Sequence, residues 1–406
     1  MQAANTVRTA KTADNSALSF QDTRIAFAPK TDAQLRRSYW LFKVINNNFL
    51  VRIGPPLTRL AFFLQLPISA LIKKTIFAQF CGGETIGESV QTARELGKFN
   101  IGSILDYSIE GLQEDVVFEE TMHEILRTIH AASQSPEIPF AVFKISGIGN
   151  VTILEKAANP TGLNPTELEA YNAIKGRVDK ICRSAYKANI PVMIDAEESW
   201  IQPAIDEITI AMMGKYNRSS AVVIMTIQLY RVGKLEHLKR IVALSVEEGF
   251  IPGIKLVRGA YMEKERLRAK QVGYPSPIQA DKENTDKDYD LAQEFLIKSG
   301  REVLLISGTH NESSCLKLCR LLNSEGPSSK NPNSIWFAQL LGMSDNLSFN
   351  LAAAGFQVAK YLPYGPLKAV MPYLFRRAQE NTAIAGQMSR EYSLVRSEIR
   401  RRRLPE

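Results

Sequence analysis

The stretch AVVIMTIQLYRVGKLEHLKRIVALSVEEGFIPGIKLVRGAY, residues 221–261, reads as one strand–helix–strand unit. Its ends, 221–230 and 253–261, are near-continuous apolar runs, as strands buried on both faces require, and residues 233–248 between them have helical spacing. The same alternation extends outward in both directions. Further strand candidates are SILDYS (103–108), FAVFKIS (140–146), PVMIDAE (191–197), EVLLISGTH (302–310), SIWFAQLLG (334–342) and QVAKYLPYG (357–365), with helical patterns at 113–133, 166–188 and 286–299. Eight alternations predict an α/β fold of the (βα)8 barrel type. A doubly wound sheet would carry a Gly-rich phosphate loop, but Gly147–Ile148–Gly149 lacks the third glycine and no Walker A loop is present.

Polar residues stand at the C-terminal ends of these runs: Asp106 and Tyr107, Lys144, Asp195 and Glu197, Gln228, Arg258, His310, Gln339, Tyr361. A barrel gathers those ends at one mouth, where active sites form.

The chain has 406 residues, 45% hydrophobic and 23% charged, which excludes disordered, collagen-like and disulfide-scaffold classes. The net charge of +8 is unevenly placed: residues 1–80 carry +8 without a single Glu, residues 396–403 carry +4, and the remainder is mildly acidic. An acidic body argues against a nucleic-acid groove, while basic flanks suit an anionic membrane surface or a partner. Residues 1–100 read as an N-terminal helical arm, 101–393 as the barrel and 394–406 as a basic tail. The basic amphipathic stretches at 34–49 and 57–80 either pack on the barrel wall or lie on an anionic bilayer. The longest apolar run, Leu60 to Ile72, is broken by Gln65, Pro67 and Ser69 and falls short of the about 20 residues of a spanning helix. No signal-peptide pattern is seen at the N-terminus. Cys81, Cys182, Cys315 and Cys319 form no CxxC pair, so free thiols in a reducing compartment are expected and structural zinc is not.

Three clusters carry chemistry. In YLPYGPLKAVMPYLFRRAQEN (361–381), Tyr373, Arg376, Arg377 and Glu380 share one helix face beside the mouth. Paired guanidinium groups there suit a small carboxylate, with Glu380 holding one of them; a solvated face with internal ion pairs is the plainer alternative. In KLVRGAY, Gly259 and Ala260 follow Lys255 and Arg258, so a flat ligand can approach the backbone beside a cation. In MIDAEES, Asp195, Glu197 and Glu198 bind Mg²⁺, pair with Lys144, or cap the next helix; pairing is favoured because a Lys on a buried strand is costly unmatched. His310 is expected to hydrogen-bond a cofactor rather than ligate a metal.

These motifs, KLVRGAYMEKER, MIDAEES, IQLY, GTHNE and the closing 361–381 segment, resemble monofunctional proline dehydrogenase over about Ser19 to Ser393. The resemblance implies a distorted (βα)8 barrel, with the helical arm in front and a final helix closing the mouth. It implies FAD as cofactor and L-proline as substrate, oxidised to 1-pyrroline-5-carboxylate by hydride transfer to the flavin. A membrane quinone then takes the electrons, and the reaction is the first step of proline catabolism to glutamate. It places Arg376 and Arg377 on the proline carboxylate, with Tyr361, Tyr373 and Leu340 around the ring. Lys144, Asp195 and Glu380 form the surrounding ion-pair network. The flavin contacts it implies are Gln228, Lys255, Val257, Gly259, Ala260, Tyr261, Thr309, His310 and Asn311, with Lys282 a weaker candidate. Lys255 stands where many bacterial members have Arg, which keeps the charge without the planar fork. The implied setting is cytoplasmic and peripheral to the inner membrane, or alternatively the matrix side of the mitochondrial inner membrane. The competing readings are a Mg²⁺-dependent barrel lyase or aldolase built on the acidic trio, and a non-catalytic membrane-surface scaffold using residues 34–80 and Arg400 to Arg403.

Overall fold

A computed structural model describes residues 18–107, 115–159, 162–325, 334–383 and 387–405. The arm contains α1 (Thr23–Ala26), α2 (Asp32–Ile45), α3 (Asn48–Phe63), α4 (Ser69–Ile72), a π-helical turn at Lys73–Phe77, α5 (Ala78–Phe80) and α6 (Ile86–Gly97). Then β1 (Ile101–Tyr107), α7 (Asp115–Ser133), β2 (Phe140–Phe143), α8 (Val151–Ala157), α9 (Pro165–Ala188), β3 (Val192–Ile194) and α10 (Gln202–Tyr216) follow. They lead to β4 (Val223–Gln228), α11 (Lys234–Glu247), β5 (Gly253–Val257), α12 (Met262–Val272), α13 (Lys282–Lys298), β6 (Leu304–Gly308) and α14 (Glu312–Glu325). The chain closes with β7 (Ile335–Leu340), α15 (Asp345–Ala353), β8 (Gln357–Tyr364), α16 (Leu367–Ala383) and α17 (Gln387–Arg401).

All eight strands pair in parallel and in sequence order, and β8 returns to β1 to close the barrel, with Ile101 level with Val358 and Tyr107 level with Tyr364. The expected (βα)8 barrel is therefore present. The strands are shorter than their apolar runs: β3 covers only Val192–Ile194 of the expected 191–197, and β5 stops at Val257. Ser108, the expected end of the first run, lies outside the described residues. Lys144, Asp195, Arg258 and His310 consequently stand just beyond their strands, where the chain has left the ladder for the mouth loops.

Strand alternation divides the core. Ile104, Val142, Met193, Ile224, Ile306, Ala359 and Tyr361 meet inside the barrel, whereas Leu105, Ile254, Leu305 and Val358 face the helices outside. A separate apolar cluster joins the arm (Leu35, Phe42, Phe80) to α16 (Val370, Leu374) and α17 (Val395, Ile399). The boundary expected at 393/394 thus falls inside a packed helix. Its basic end is tied down as well: Arg401 and Arg402 both reach Glu398, and Arg402 Nη1 also lies 3.0 Å from Asp32 Oδ1. Gly342, at φ 77°, permits the β7–α15 turn to touch the arm, since a Cβ there would fall 2.0 Å from the Gln79 carbonyl oxygen.

On the outer face of β8, Lys360 has 0% exposure and donates to Asp345 Oδ1 at 2.9 Å and to the Met343 carbonyl at 2.6 Å. Removing the carboxylate leaves a buried ammonium without its main counter-charge. Asp345→Ala should cost about 3–5 kcal/mol in chemical denaturation. Lys360→Met combined with Asp345→Leu should recover much of that loss.

Candidate active site

The register places one row of inward side chains across adjacent strands. Ile194 is level with Met225, and Thr226 is level with Lys255, so the inward residues Asp195, Thr226 and Lys255 stand at one height. Lys255 Nζ donates to Asp195 Oδ1 at 2.5 Å and to the Tyr361 hydroxyl, and lies 4.3 Å from the Tyr361 ring centroid. The Tyr361 hydroxyl in turn donates to Asp195 Oδ1 at 3.3 Å. Burial, then the Asp195 carboxylate, pushes the Tyr361 phenol well above its ordinary value, so it remains a proton donor.

This arrangement corrects the favoured reading of Lys144. Its direct acidic neighbour is Asp106, with Nζ to Oδ2 3.7 Å, while Asp195 contacts Lys255. The two cations divide the acids because Asp106 lies near the end of the neighbouring strand β1, whereas Asp195 stands in the inward row shared with Lys255. Burial works against the Lys144 ammonium, but Asp106, Asp195, Tyr261 and Glu197 outweigh it and raise the pKa. Asp106 appeared among the strand-end residues but not among the expected site residues; its place on the strand beside that of Lys144 was the available signal.

The acidic trio disperses. Glu197 accepts from the Ser146 backbone N–H at 2.9 Å and from its hydroxyl, and Glu198 pairs with Lys264. Among the described residues no group of three or more His, Cys, Asp or Glu is arranged to hold a metal ion.

Loops after β5 and β6 build the other wall. Arg258 donates to Asp286 Oδ1 at 2.7 Å, Thr309 Oγ1 at 2.6 Å and Ser314 Oγ at 3.0 Å, with its guanidinium carbon 4.4 Å from the Tyr289 ring centroid. Its donors are directed into the protein, so it is a strut between loops rather than the cation expected to meet a ligand. Gly259, at φ 142°, is demanded by Tyr230, whose ring would lie 2.3 Å from a Cβ; Gly259 and Ala260 are themselves exposed. Val257 and Tyr261 are half-buried beside them. Thr309 Oγ1 also accepts from the Asn311 N–H at 3.0 Å. His310 Nδ1 lies 2.9 Å from Ser344 Oγ, and burial, followed by the Lys360, Arg377 and Arg258 charges, pushes the imidazole down to about 3. It is neutral at ordinary pH. Ser344 has left-handed backbone (φ 49°), and its N–H donates to the buried Glu391 at 2.6 Å, a link from α17 that sequence spacing does not signal.

Gln228, the last residue of β4, is 2% exposed and its Oε1 accepts no hydrogen bond. A buried acceptor left open costs free energy, so this wall fits a ligand that brings a donor to it.

Above the mouth, Arg376 and Arg377 are half-buried on α16, with the Arg377 guanidinium carbon 5.3 Å from the Tyr373 ring centroid. Burial pushes the Tyr261 phenol above its ordinary value against the opposing charges of Lys144 and Arg376, and Arg377 is among the charges that add to burial in lowering His310, so both cations are felt by residues of the β5 and β6 loops. Leu340, at the end of β7, packs against both the barrel interior and the arm cluster. Glu380 lies on α16, with its side chain outside the described residues.

A closed parallel barrel, with a buried Lys–Asp–Tyr cluster at its mouth and paired arginines on the helix after β8, defines a (βα)8 protein. The family model described as Proline dehydrogenase matches residues 89–390, and the chain belongs to the proline dehydrogenase family. The carbapenem antibiotics biosynthesis protein CarD of Pectobacterium carotovorum is 34% identical over 80% of this chain and 83% of its own length. The mitochondrial proline dehydrogenase 1 of Dictyostelium discoideum is 32% identical over 94% of this chain and 74% of its own. Among solved structures, proline utilization A from Bdellovibrio bacteriovorus, inactivated by N-propargylglycine, aligns with a TM-score of 0.71 at 19% identity. That alignment covers 90% of this chain but 38% of the longer one, and shows the shared fold.

Burial, opposed by the Ser146 hydrogen bonds, pushes Glu197 up to about 7 from 4.5. Between those values the folded protein holds a proton that the unfolded chain releases, so this group weakens the fold as pH rises through that window. Glu197→Gln should therefore remove a slope of up to about 1.4 kcal/mol per pH unit from the stability profile measured by urea denaturation. Parallel profiles for the two proteins would contradict the assignment.

Proposed function

We propose that the protein oxidises L-proline to 1-pyrroline-5-carboxylate, with FAD as the resident cofactor and a membrane quinone as the final electron acceptor. This would be the first step of proline catabolism to glutamate. The observation that carries the reading is the Arg376–Arg377 pair on α16, set over a mouth whose floor holds Lys255, Asp195 and Tyr361.

FAD, when bound, supplies the acceptor for the hydride leaving the ring carbon beside the proline nitrogen. Gln228, Lys255, Val257, Gly259, Ala260, Tyr261, Thr309, His310 and Asn311 would hold it, and the open Gln228 Oε1 supports that placement. Arg376 and Arg377 bind the carboxylate, a charge-assisted contact that fixes one end of a small ring. Tyr361, Tyr373 and Leu340 pack its faces and exclude water. Lys144 stays charged because its pKa is raised, so it acts as a fixed positive charge and not as a base. Asp195 balances Lys255 and Asp106 balances Lys144, which keeps the floor of the mouth close to neutral. Glu380 would brace one of the arginines. The chain performs orientation and electrostatics, and no nucleophile is required.

The dispersal of Asp195, Glu197 and Glu198 onto separate partners weighs against the Mg²⁺-dependent lyase reading. Residues 101–393 are taken as the catalytic barrel, preceded by the arm, an assignment supported by the family match over 89–390. The mitochondrial name of the Dictyostelium relative favours the mitochondrial inner membrane over a bacterial one as the setting. No described helix is long and apolar enough to cross a membrane.

Purified protein should show flavin absorbance that bleaches on addition of proline. Arg376→Met and Arg377→Met should each raise the apparent proline dissociation constant at least about tenfold, as loss of a contact worth about 1.5–3 kcal/mol requires. Flavin content should remain near that of the wild type. Protein that stays colourless after refolding with FAD, or variants that lose flavin while keeping proline affinity, would overturn the reading.

A further inference from the structure

The turn after α3 is unlike the rest of the surface. Of seventeen exposed large hydrophobic side chains among the described residues, eight fall between Trp40 and Leu71, less than a tenth of the chain. Phe63 is 82% exposed, Leu64 56%, Leu66 49% and Leu71 66%, so the sequence Phe63–Leu64–Gln65–Leu66–Pro67 forms an uncovered apolar tip. Contiguous exposure of this kind marks a surface made for contact.

Its charge restricts the partner. From Ala33 to Gly83 there is no Asp or Glu, against seven Lys and Arg. The acid that follows, Glu84, is already paired with Lys73. An apolar tip with purely cationic flanks matches an anionic lipid surface, where the apolar side chains enter the acyl boundary and the cations meet headgroup charge. Lys74 is exposed beside Leu71, and Lys368 is exposed on α16.

A cavity of about 380 Å³ lies between α3 and α16, lined by Phe62, Phe63, Met371 and Phe375, with Lys368 among its walls. Phe63 both lines it and stands at the exposed tip, so the cavity opens on the same face. Arg401 and Arg402 do not share this surface's role, because Glu398 engages them both.

We propose that residues 49–74 form the face on which the protein docks to an anionic bilayer, with Phe63, Leu64, Leu66 and Leu71 entering the acyl region and Lys74 and Lys368 meeting headgroup phosphates. A lipid chain occupies the cavity between α3 and α16. Since α16 carries Arg376 and Arg377, docking sets the helix that roofs the mouth against the membrane. The proposal stands on the surface alone and does not depend on the reaction the barrel performs.

The test uses full-length protein and phosphatidylcholine vesicles with and without phosphatidylglycerol, read by co-sedimentation. The wild type should bind the mixed vesicles far better than the neutral ones and retain part of that binding in high salt. Leu64→Glu combined with Leu66→Glu should lower the partition coefficient at least tenfold. Lys74→Glu combined with Lys368→Glu should lower it several-fold, and Arg401→Gln should leave it unchanged. Circular dichroism and proline oxidation with a soluble acceptor report separately on folding and on the active site. Vesicle binding of the double leucine variant at the wild-type level would overturn the proposal. So would a concentration-dependent dimer in vesicle-free solution that the same variant abolishes.

Discussion

Lys255 stands where the alternation of β5 would otherwise put an apolar side chain inside the barrel, and an ammonium in that position costs several kcal/mol unless it is matched. The match comes from two other strands: Asp195 past the end of β3 and the Tyr361 hydroxyl on β8. Tyr361 stands three strands from β5 along the sheet and would be out of reach were the sheet open. The contact with Tyr361 therefore requires barrel closure, and the requirement links the closed fold to the charged cluster at its mouth. Lys144 and Asp106 repeat the arrangement at the neighbouring strand ends, so the floor of the mouth is a charge-balanced layer rather than a single functional group.

A second layer of constraint comes from α16 and α17. α16 presents Arg376 and Arg377 at the mouth, and its apolar residues Val370 and Leu374 pack into the cluster shared with the arm. The arm is thus the support of the helix that roofs the pocket, not an appendage. Through Glu391, Ser344 and His310, α17 reaches the same mouth from another side. Moving either helix would displace charged groups that stand at the mouth.

The barrel could be read from apolar runs such as 221–230 and 253–261, because strands buried on both faces leave a local composition that survives without knowledge of their neighbours. The residues at the strand ends were readable for a similar reason: the end of each run marks where chain leaves the ladder. Arg258 shows the limit. Its position after β5 was plain, but three of its contacts, Asp286, Thr309 and Ser314, come from elements 28 to 56 residues away, and they turn it inward. Gly259 was expected to admit a ligand; its φ and the Tyr230 ring show a packing demand as well.

Composition and period settled the eight-stranded parallel architecture, the basic arm and the arginine pair on the final barrel helix, since each depends on residues close together in the chain. The pairing of Asp195 with Lys255 rather than Lys144, the dispersal of the acidic trio, and the engagement of Arg401 and Arg402 by Glu398 emerged from the folded chain. Each of these rests on strand register or on helices meeting across the barrel. Electrostatic matching acts over a few ångströms of space, and sequence separation carries no record of those distances.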